Sequence, residues 1–341
     1  MEGKADPSTL KHVFNHVGSQ NPGIVVGPTL GVDAAVIDHE EACIAARDYY
    51  GTGSQVKCYP VWKTDPVTFL TDNPGKYVLS VNLNDLGCLG AVPYAALVTW
   101  ILPTSYDGAD LVNLQQQLGK EAKKYGVTIA GGHSEFSRAV NTPVVVLSTV
   151  GFTPEPFLPH GRLNPGDSIY LQGFVANEGT AILGAEVVKR SNIPADIKEL
   201  LPEPLFEEHL CIVNEALELN KKAHPSVMHD PTEGGILGAI HEMLTSRKIG
   251  AALDTDALES LIHPLTRKLC DWLKVDPLRL ISSGSLLFCL PKGHEPPRTI
   301  HTKKIGELTD DTFIYLSDEE PTSPPEADHL ILALQNLAKQ S

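Results

Sequence analysis

Apolar positions recur at helical spacing in several stretches of the chain. Val78, Val81, Leu83, Leu86 and Leu89 do so and predict a helix over residues 76–89, entered through Pro74-Gly75. Residues 109–125 form an amphipathic helix that stops at Gly126, and residues 8–17 a short one with Ser8 as its cap. Apolar runs at 95–102, 127–130, 144–150, 168–172 and 286–290 predict strands. Residues 32–37 and 42–47 flank the polar segment Asp38-His39-Glu40-Glu41 and read as a hairpin. Residues 49–57 read as a loop, and an extended run over 56–63 leads into Thr64-Asp65-Pro66. Beyond the proline-rich segment Thr153-Pro154-Glu155-Pro156, helices are expected at 177–188, 206–223, 234–245 and 330–338. Helices and strands mix without strict alternation, which gives an α+β fold class in two domains, 1–155 and 156–341.

The length of 341 residues and a hydrophobic content of 42% suffice for two ordinary cores. Asp plus Glu number 42 against 27 Lys plus Arg, a net charge of −15, which disfavours a nucleic-acid partner because phosphate binding needs a cationic surface. No apolar run approaches the roughly 20 residues that span a bilayer, so no membrane association is expected. Residues 1–7 are polar and hold no signal-peptide core. The six cysteines form no Cys-x-x-Cys pair and read as reduced, mostly buried thiols of a cytoplasmic protein.

The common catalytic signatures are absent: no P-loop, no Gly-x-Gly-x-x-Gly, no His-Glu-x-x-His and no Gly-x-Ser-x-Gly. What remains is a set of aspartates at the ends of apolar segments: Asp33, Asp65, Asp85 and Asp230. Each alone reads as a turn former or cap, and Asp230 before Pro231 would cap the helix that starts near Gly234. Several carboxylates brought together repel unless a hard cation lies between them. Two glycine pairs, Gly131-Gly132 and Gly234-Gly235, let the backbone approach a ligand closely or form tight turns.

In chain order these pieces resemble the ATP-binding superfamily of aminoimidazole-ribonucleotide synthase, the PurM-like proteins. The matching stretches are Gly31-Val32-Asp33-Ala34-Ala35-Val36-Ile37, Thr64-Asp65-Pro66, Val81-Asn82-Leu83-Asn84-Asp85-Leu86 with Gly90-Ala91-Val92-Pro93, Gly131-Gly132, Gly173-Phe174-Val175-Ala176-Asn177-Glu178-Gly179-Thr180-Ala181-Ile182-Leu183, Asp230-Pro231-Thr232-Glu233-Gly234-Gly235 and Ser282-Ser283-Gly284-Ser285-Leu286-Leu287. The resemblance implies an N-terminal domain that pairs with its copy into a dimeric, barrel-like β core, and a C-terminal α/β sandwich domain. It implies ATP and Mg2+ as cofactors, with Asp33, Asp65, Asp85 and Asp230 as metal ligands. Lys76, Asn82, Asn84, Gly131, Gly132, Thr232, Gly234 and Gly235 would line the nucleotide site, although Lys76 also reads as a solvated first-turn residue.

The reaction implied is phosphoryl transfer from ATP to a carbonyl or amide oxygen, or to a phosphate acceptor, of a small-molecule substrate. Such transfer needs positioning and charge neutralisation more than a covalent catalyst. The family's Gly-Gly-Asp-Thr loop is replaced by Gly132-His133-Ser134-Glu135, so His133 and Glu135 are candidate catalytic residues. The pattern is nearest to relatives of the hydrogenase-maturation protein HypE, which implies a maturation-protein partner as an alternative. HypE proper ends in a modified cysteine. The present sequence ends Ala338-Lys339-Gln340-Ser341 with Cys289 its last cysteine, so that self-modifying chemistry is not expected. A non-catalytic nucleotide-binding protein is the third alternative.

Overall fold

The structure is a computed structural model that describes residues 2–68, 71, 73–159, 161–201, 209–316 and 321–340. The chain divides into two units between Leu158 and Pro159. In the first unit a five-stranded sheet carries everything else. Its strands are β1 (Gly3–Lys4), β4 (Cys58–Val67), β5 (Val92–Pro103), β6 (Thr128–Ser137) and β7 (Val144–Pro154), in the order β1-β6-β5-β7-β4. Only β5 and β6 run parallel; the other pairs are antiparallel. The sheet is open rather than closed into a barrel. Strands β2 (Ile24–Val26) and β3 (Val36–Ile37) form a separate two-stranded pair.

One face of the sheet is covered by helices α3 (Pro74–Cys88) and α4 (Gly108–Lys124). Helix α3 starts at Pro74, where the missing N–H costs nothing, behind an Asn73 cap. A reciprocal capping box of Asp107 and Asp110 opens α4. The fully buried Trp100 of β5 donates its indole N–H to Gln115 of α4 at 2.9 Å, and Gln115 in turn donates to the His16 carbonyl. Helix α1 (Pro7–Val13) begins one residue before the expected start and is capped by Asp6 rather than Ser8.

The expected hairpin around residues 38–41 is instead the entry to helix α2 (His39–Tyr50). Asp38, which resembles a turn residue in sequence, accepts hydrogen bonds from the Glu40 and Glu41 N–H groups and caps the helix. Ala42, Cys43, Ala46 and Tyr50 then form one apolar stripe. Most of it packs with Cys58, Tyr94, Ala95, Ala130, Val150 and Phe152 over one end of the second sheet face. Among the described residues the rest of that face lies open to a cavity bordered by the segment 27–35.

The second unit holds a six-stranded sheet in the order β13-β10-β12-β8-β11-β9. Its strands are β8 (Ser168–Gln172), β9 (Val227–His229), β10 (Gly250–Leu253), β11 (Leu286–Leu290), β12 (Thr302–Thr309) and β13 (Ile314–Leu316). Helices α5 (Asn177–Val188), α6 (Ala195–Lys198), α7 (Val213–Ala223), α8 (Gly235–Thr245), α9 (Thr255–Glu259), α10 (Pro264–Leu273) and α11 (His329–Lys339) complete it. One core joins Ile169, Leu171, Leu287 and Cys289 of the sheet to Leu183 and Val187 of α5, Ile240 of α8 and Leu269 of α10. The start of the helix expected at 206–223 lies outside the described residues. None of the helices described here is long and apolar enough to cross a membrane.

Gly131 and Gly132 lie inside β6, not in a turn after it. The register slips between Ala96 and Leu97 of β5, with Ala130 the extra residue opposite, which is a bulge. At Gly132 the backbone has φ +146°, and a Cβ would lie 1.8 Å from the Val98 carbonyl oxygen. Gly132→Ala is expected to destabilise the protein by roughly 3 kcal/mol, read as a lowered urea midpoint, because the obstacle is main chain that cannot rotate away.

Candidate functional site

Asp65 and Asp85 come together, and a lysine stands between them. Alternation along β4 puts Lys63 and Asp65 on the face that packs against α3. The Lys63 Nζ lies 2.8 Å from one Asp65 carboxylate oxygen and 2.7 Å from one of Asp85 on α3. Burial alone would lower the basicity of Lys63; the two carboxylates reverse this and hold its pKa above the usual lysine value. Asn82 sets the register of strand and helix. Its side-chain oxygen accepts the Asp65 N–H at 3.0 Å and its amide donates to the Val78 carbonyl at 2.8 Å. Asn82 and Asn84 are both fully buried in α3. Lys76 sits half-buried in the first turn of α3, where the helix dipole opposes a cation, so an anion nearby would stabilise it.

The open face of the same sheet carries the other residues. A cavity of about 320 Å3 is lined by Gly27, Pro28, Thr29, Asp33, Trp62, Leu97, Gly131, Gly132 and Ser148, among others. Trp62 is 64% exposed, and Asp33 is exposed. A neighbouring cavity of about 180 Å3 shares Asp33, Gly131 and Gly132 and adds His133. His133 and Glu135 stand two residues apart on this face and meet at 3.1 Å, Nε2 to Oε2. The structure therefore groups Asp33 with Gly131, Gly132 and His133, and Asp65 with Asp85, on opposite faces of one sheet. Among the described residues no group of three or more His, Cys, Asp or Glu side chains is placed to hold a metal ion. The Asp65–Asp85 pair in particular does not fit Mg2+ as it stands, because an ammonium lies between its oxygens.

In the second unit Asp230 is buried and does not cap α8, whose cap residue is Gly234, with φ +78° and no side-chain hydrogen bond. The Gly234 N–H donates to Asp328 at 2.7 Å, and the same carboxylate caps α11 through the Leu330 N–H. The Thr232 carbonyl accepts the Gly235 N–H, and a Cβ on Gly235 would lie 2.6 Å from the Leu278 carbonyl oxygen. This glycine pair is shaped by close packing and by Asp328. Glu178, which the sequence reading did not single out, is the buried carboxyl of the α5 first turn, beside Ser283 and within the fields of Glu233 and Asp328. Its only sequence signal is an acid between Asn177 and Gly179 at the start of an apolar helix. Cys289 lies fully buried in β11, and burial pushes its thiol up to about 12, which suits packing and not nucleophilic chemistry.

Two family models cover most of the chain. Residues 31–153 match the N-terminal domain of AIR synthase related proteins and residues 164–314 match their C-terminal domain. The chain belongs to the AIR synthase related family, with the PurM-like two-domain α+β fold. It is similar to a carbamoyl dehydratase HypE of Rhizobium leguminosarum bv. viciae, 24% identical over 74% of this chain and 71% of that one. It is also similar to a thiamine-monophosphate kinase of Pyrococcus horikoshii, 24% identical over 76% of this chain and 79% of that one. Among solved structures, hydrogenase maturation protein HypE in complex with ATP matches the fold with a TM-score of 0.66 at 22% identity, covering 88% of this chain and 84% of that one.

Burial raises the pKa of Glu178 from 4.5 to about 7, with Glu233 and Asp328 adding to the shift and Ser283 opposing it. The native state thus holds this proton more tightly than the unfolded chain does. Its contribution to stability is complete below the unfolded value and is lost as pH rises through about 7. A shift of this size corresponds to roughly 3 kcal/mol. Glu178→Gln is expected to flatten the fall in unfolding free energy between about pH 5 and about pH 8, measured by urea denaturation at both ends.

Proposed function

We propose that this chain is an ATP-dependent enzyme that transfers a phosphoryl group to a carbonyl or amide oxygen, or to a phosphate acceptor, of a small substrate. The observation that carries this reading is the open-face cavity, in a chain whose family includes a kinase and a carbamoyl dehydratase by name. Trp62 offers an aromatic surface to a base, and the Gly131-Gly132 backbone lets a ligand lie close against the strand. Mg2+ accompanying the nucleotide would neutralise phosphate charge. Asp33 is the exposed carboxylate on the cavity wall that would hold that ion. Lys76, in the first turn of α3, lies on the helix-covered side of the sheet and does not line this cavity. Glu135 orients the His133 ring, whose other nitrogen can take the N–H proton that an amide acceptor loses when its oxygen is phosphorylated.

We also infer that the working form is a homodimer. The open face exposes Trp62 and Leu97, and β4 is a ten-residue strand at the edge of the sheet, with no strand paired to its outer side among the described residues. An exposed apolar patch beside an unpaired edge favours association. A second reading, a HypE-type maturation factor acting with a partner protein, is favoured by the HypE relative.

Titration calorimetry with MgATP is expected to show binding, accompanied by a tryptophan fluorescence change that Trp62→Phe removes. Asp33→Asn is expected to weaken it by about tenfold or more, equivalent to about 1.4 kcal/mol. No MgATP binding to the folded wild type overturns the reading. Binding with ADP release only when a partner protein is added selects the second reading, and binding without turnover under any condition selects a non-catalytic role. Sedimentation equilibrium is expected to give twice the chain mass, and Thr64→Arg on the open face of β4 to shift the protein toward the monomer. A monomer at all concentrations overturns the dimer.

A further inference from the structure

The carboxylate pair of Asp65 and Asp85 is where the resemblance places Mg2+, yet the geometry assigns it another cation. Mg2+ requires oxygen ligands at about 2.0–2.1 Å in a near-octahedral shell. Here the Lys63 ammonium is within hydrogen-bond distance of both carboxylates, at 2.8 and 2.7 Å. The Lys63 side chain is 33% exposed, so this is more than a loose surface ion pair. Its position is built by the fold. Strand alternation places Lys63 beside Asp65, and Asn82 pins the Asp65 backbone to α3 one helical turn from Asp85.

We propose that Lys63 is a tethered counter-ion that takes the place of a metal ion: the Asp65–Asp85 pair holds an ammonium and excludes divalent cations. Metal then reaches the protein only in company with nucleotide phosphate. That last consequence rests on the proposed nucleotide site; the assignment of Lys63 does not. An ammonium on a strand cannot leave with product, so the charge between β4 and α3 is permanent. The pair is thereby committed to holding strand and helix together, while a site with a free metal would exchange its ion with solvent.

The test uses Mn2+ alone, without nucleotide, on the full chain, followed by electron paramagnetic resonance and by thermal unfolding. Wild type is expected to show no Mn2+ binding that Asp85→Asn removes, and no Mn2+-dependent rise in melting temperature. Lys63→Met and Lys63→Gln are each expected to gain a Mn2+ site at least about tenfold tighter than any in wild type, lost again when Asp85→Asn is added. Wild-type Mn2+ binding that disappears in Asp65→Asn or Asp85→Asn overturns the proposal, and this arm stands even if the Lys63 variants fail to fold. Folded Lys63 variants that gain no Mn2+ site overturn it equally. A failure of MgATP binding with these Mn2+ results intact defeats the enzymatic reading and leaves the counter-ion in place.

Discussion

Alternation along a single edge strand partitions the first unit. Because side chains on β4 point to opposite faces in turn, Lys63 and Asp65 face the helices while Trp62 and Thr64 face the open side. The same parity carries across the sheet. Val145 and Leu147 of β7 are buried on the helical side, and Ser148 lies on the other with Leu97 and Gly131. A shift of one residue in the pairing would exchange the two sets, exposing the ion pairs and burying the tryptophan. Asn82 guards against this shift, since its side chain bridges the Asp65 backbone and the helix carbonyl at Val78.

Where apolar residues recur with one clear period, the sequence was enough to find the element. Helices α3, α4, α5 and α8, and strands β8 and β11, lie within a few residues of their expected bounds. The errors have local causes. Asp38 carries the same side-chain acceptor whether it starts a turn or a helix, and only the stripe Ala42, Cys43, Ala46 and Tyr50 distinguishes the two. The glycines of β6 read as a strand end because glycine is a poor strand former. In this fold Gly132 is required inside the strand, where the Val98 main chain lies too close for any side chain. Strands β10, β12 and β13 escaped notice because they are short or carry lysines and glutamates on one face.

The site was legible as a set of residues but not as a geometry. Motif order pointed to Asp33, Asp65 and Asp85, yet nothing in that order says that a sheet separates the first from the other two. Nor does spacing reveal a counter-ion, because Lys63 reads as the end of an apolar run until its neighbour Asp65 and the helical Asp85 are seen to converge on it. The signal was present in the i, i+2 relation of Lys63 and Asp65, which puts both on one face of any strand that holds them. Glu178 was harder to find, since its perturbation depends on burial and on Glu233 and Asp328, both distant in sequence.

An excess of acid along the chain, 42 acidic residues against 27 basic, must be settled locally wherever carboxylates are drawn out of water. The protein uses three different devices. Around Lys63 a cation is placed between two carboxylates. At Asp328 main-chain N–H groups of two helix starts take up the oxygens, a form of pairing that needs no opposite charge. At Glu178 neither is sufficient, and the carboxyl retains its proton to near neutrality. The first two devices fix elements against one another. The third makes the second unit sensitive to pH, since ionising Glu178 would leave a charge with no cation to receive it. Asp33 is exposed and so accessible to a cationic ligand. The proposal that Lys63 stands in for a metal ion at Asp65 and Asp85 therefore directs attention to the open face of the sheet.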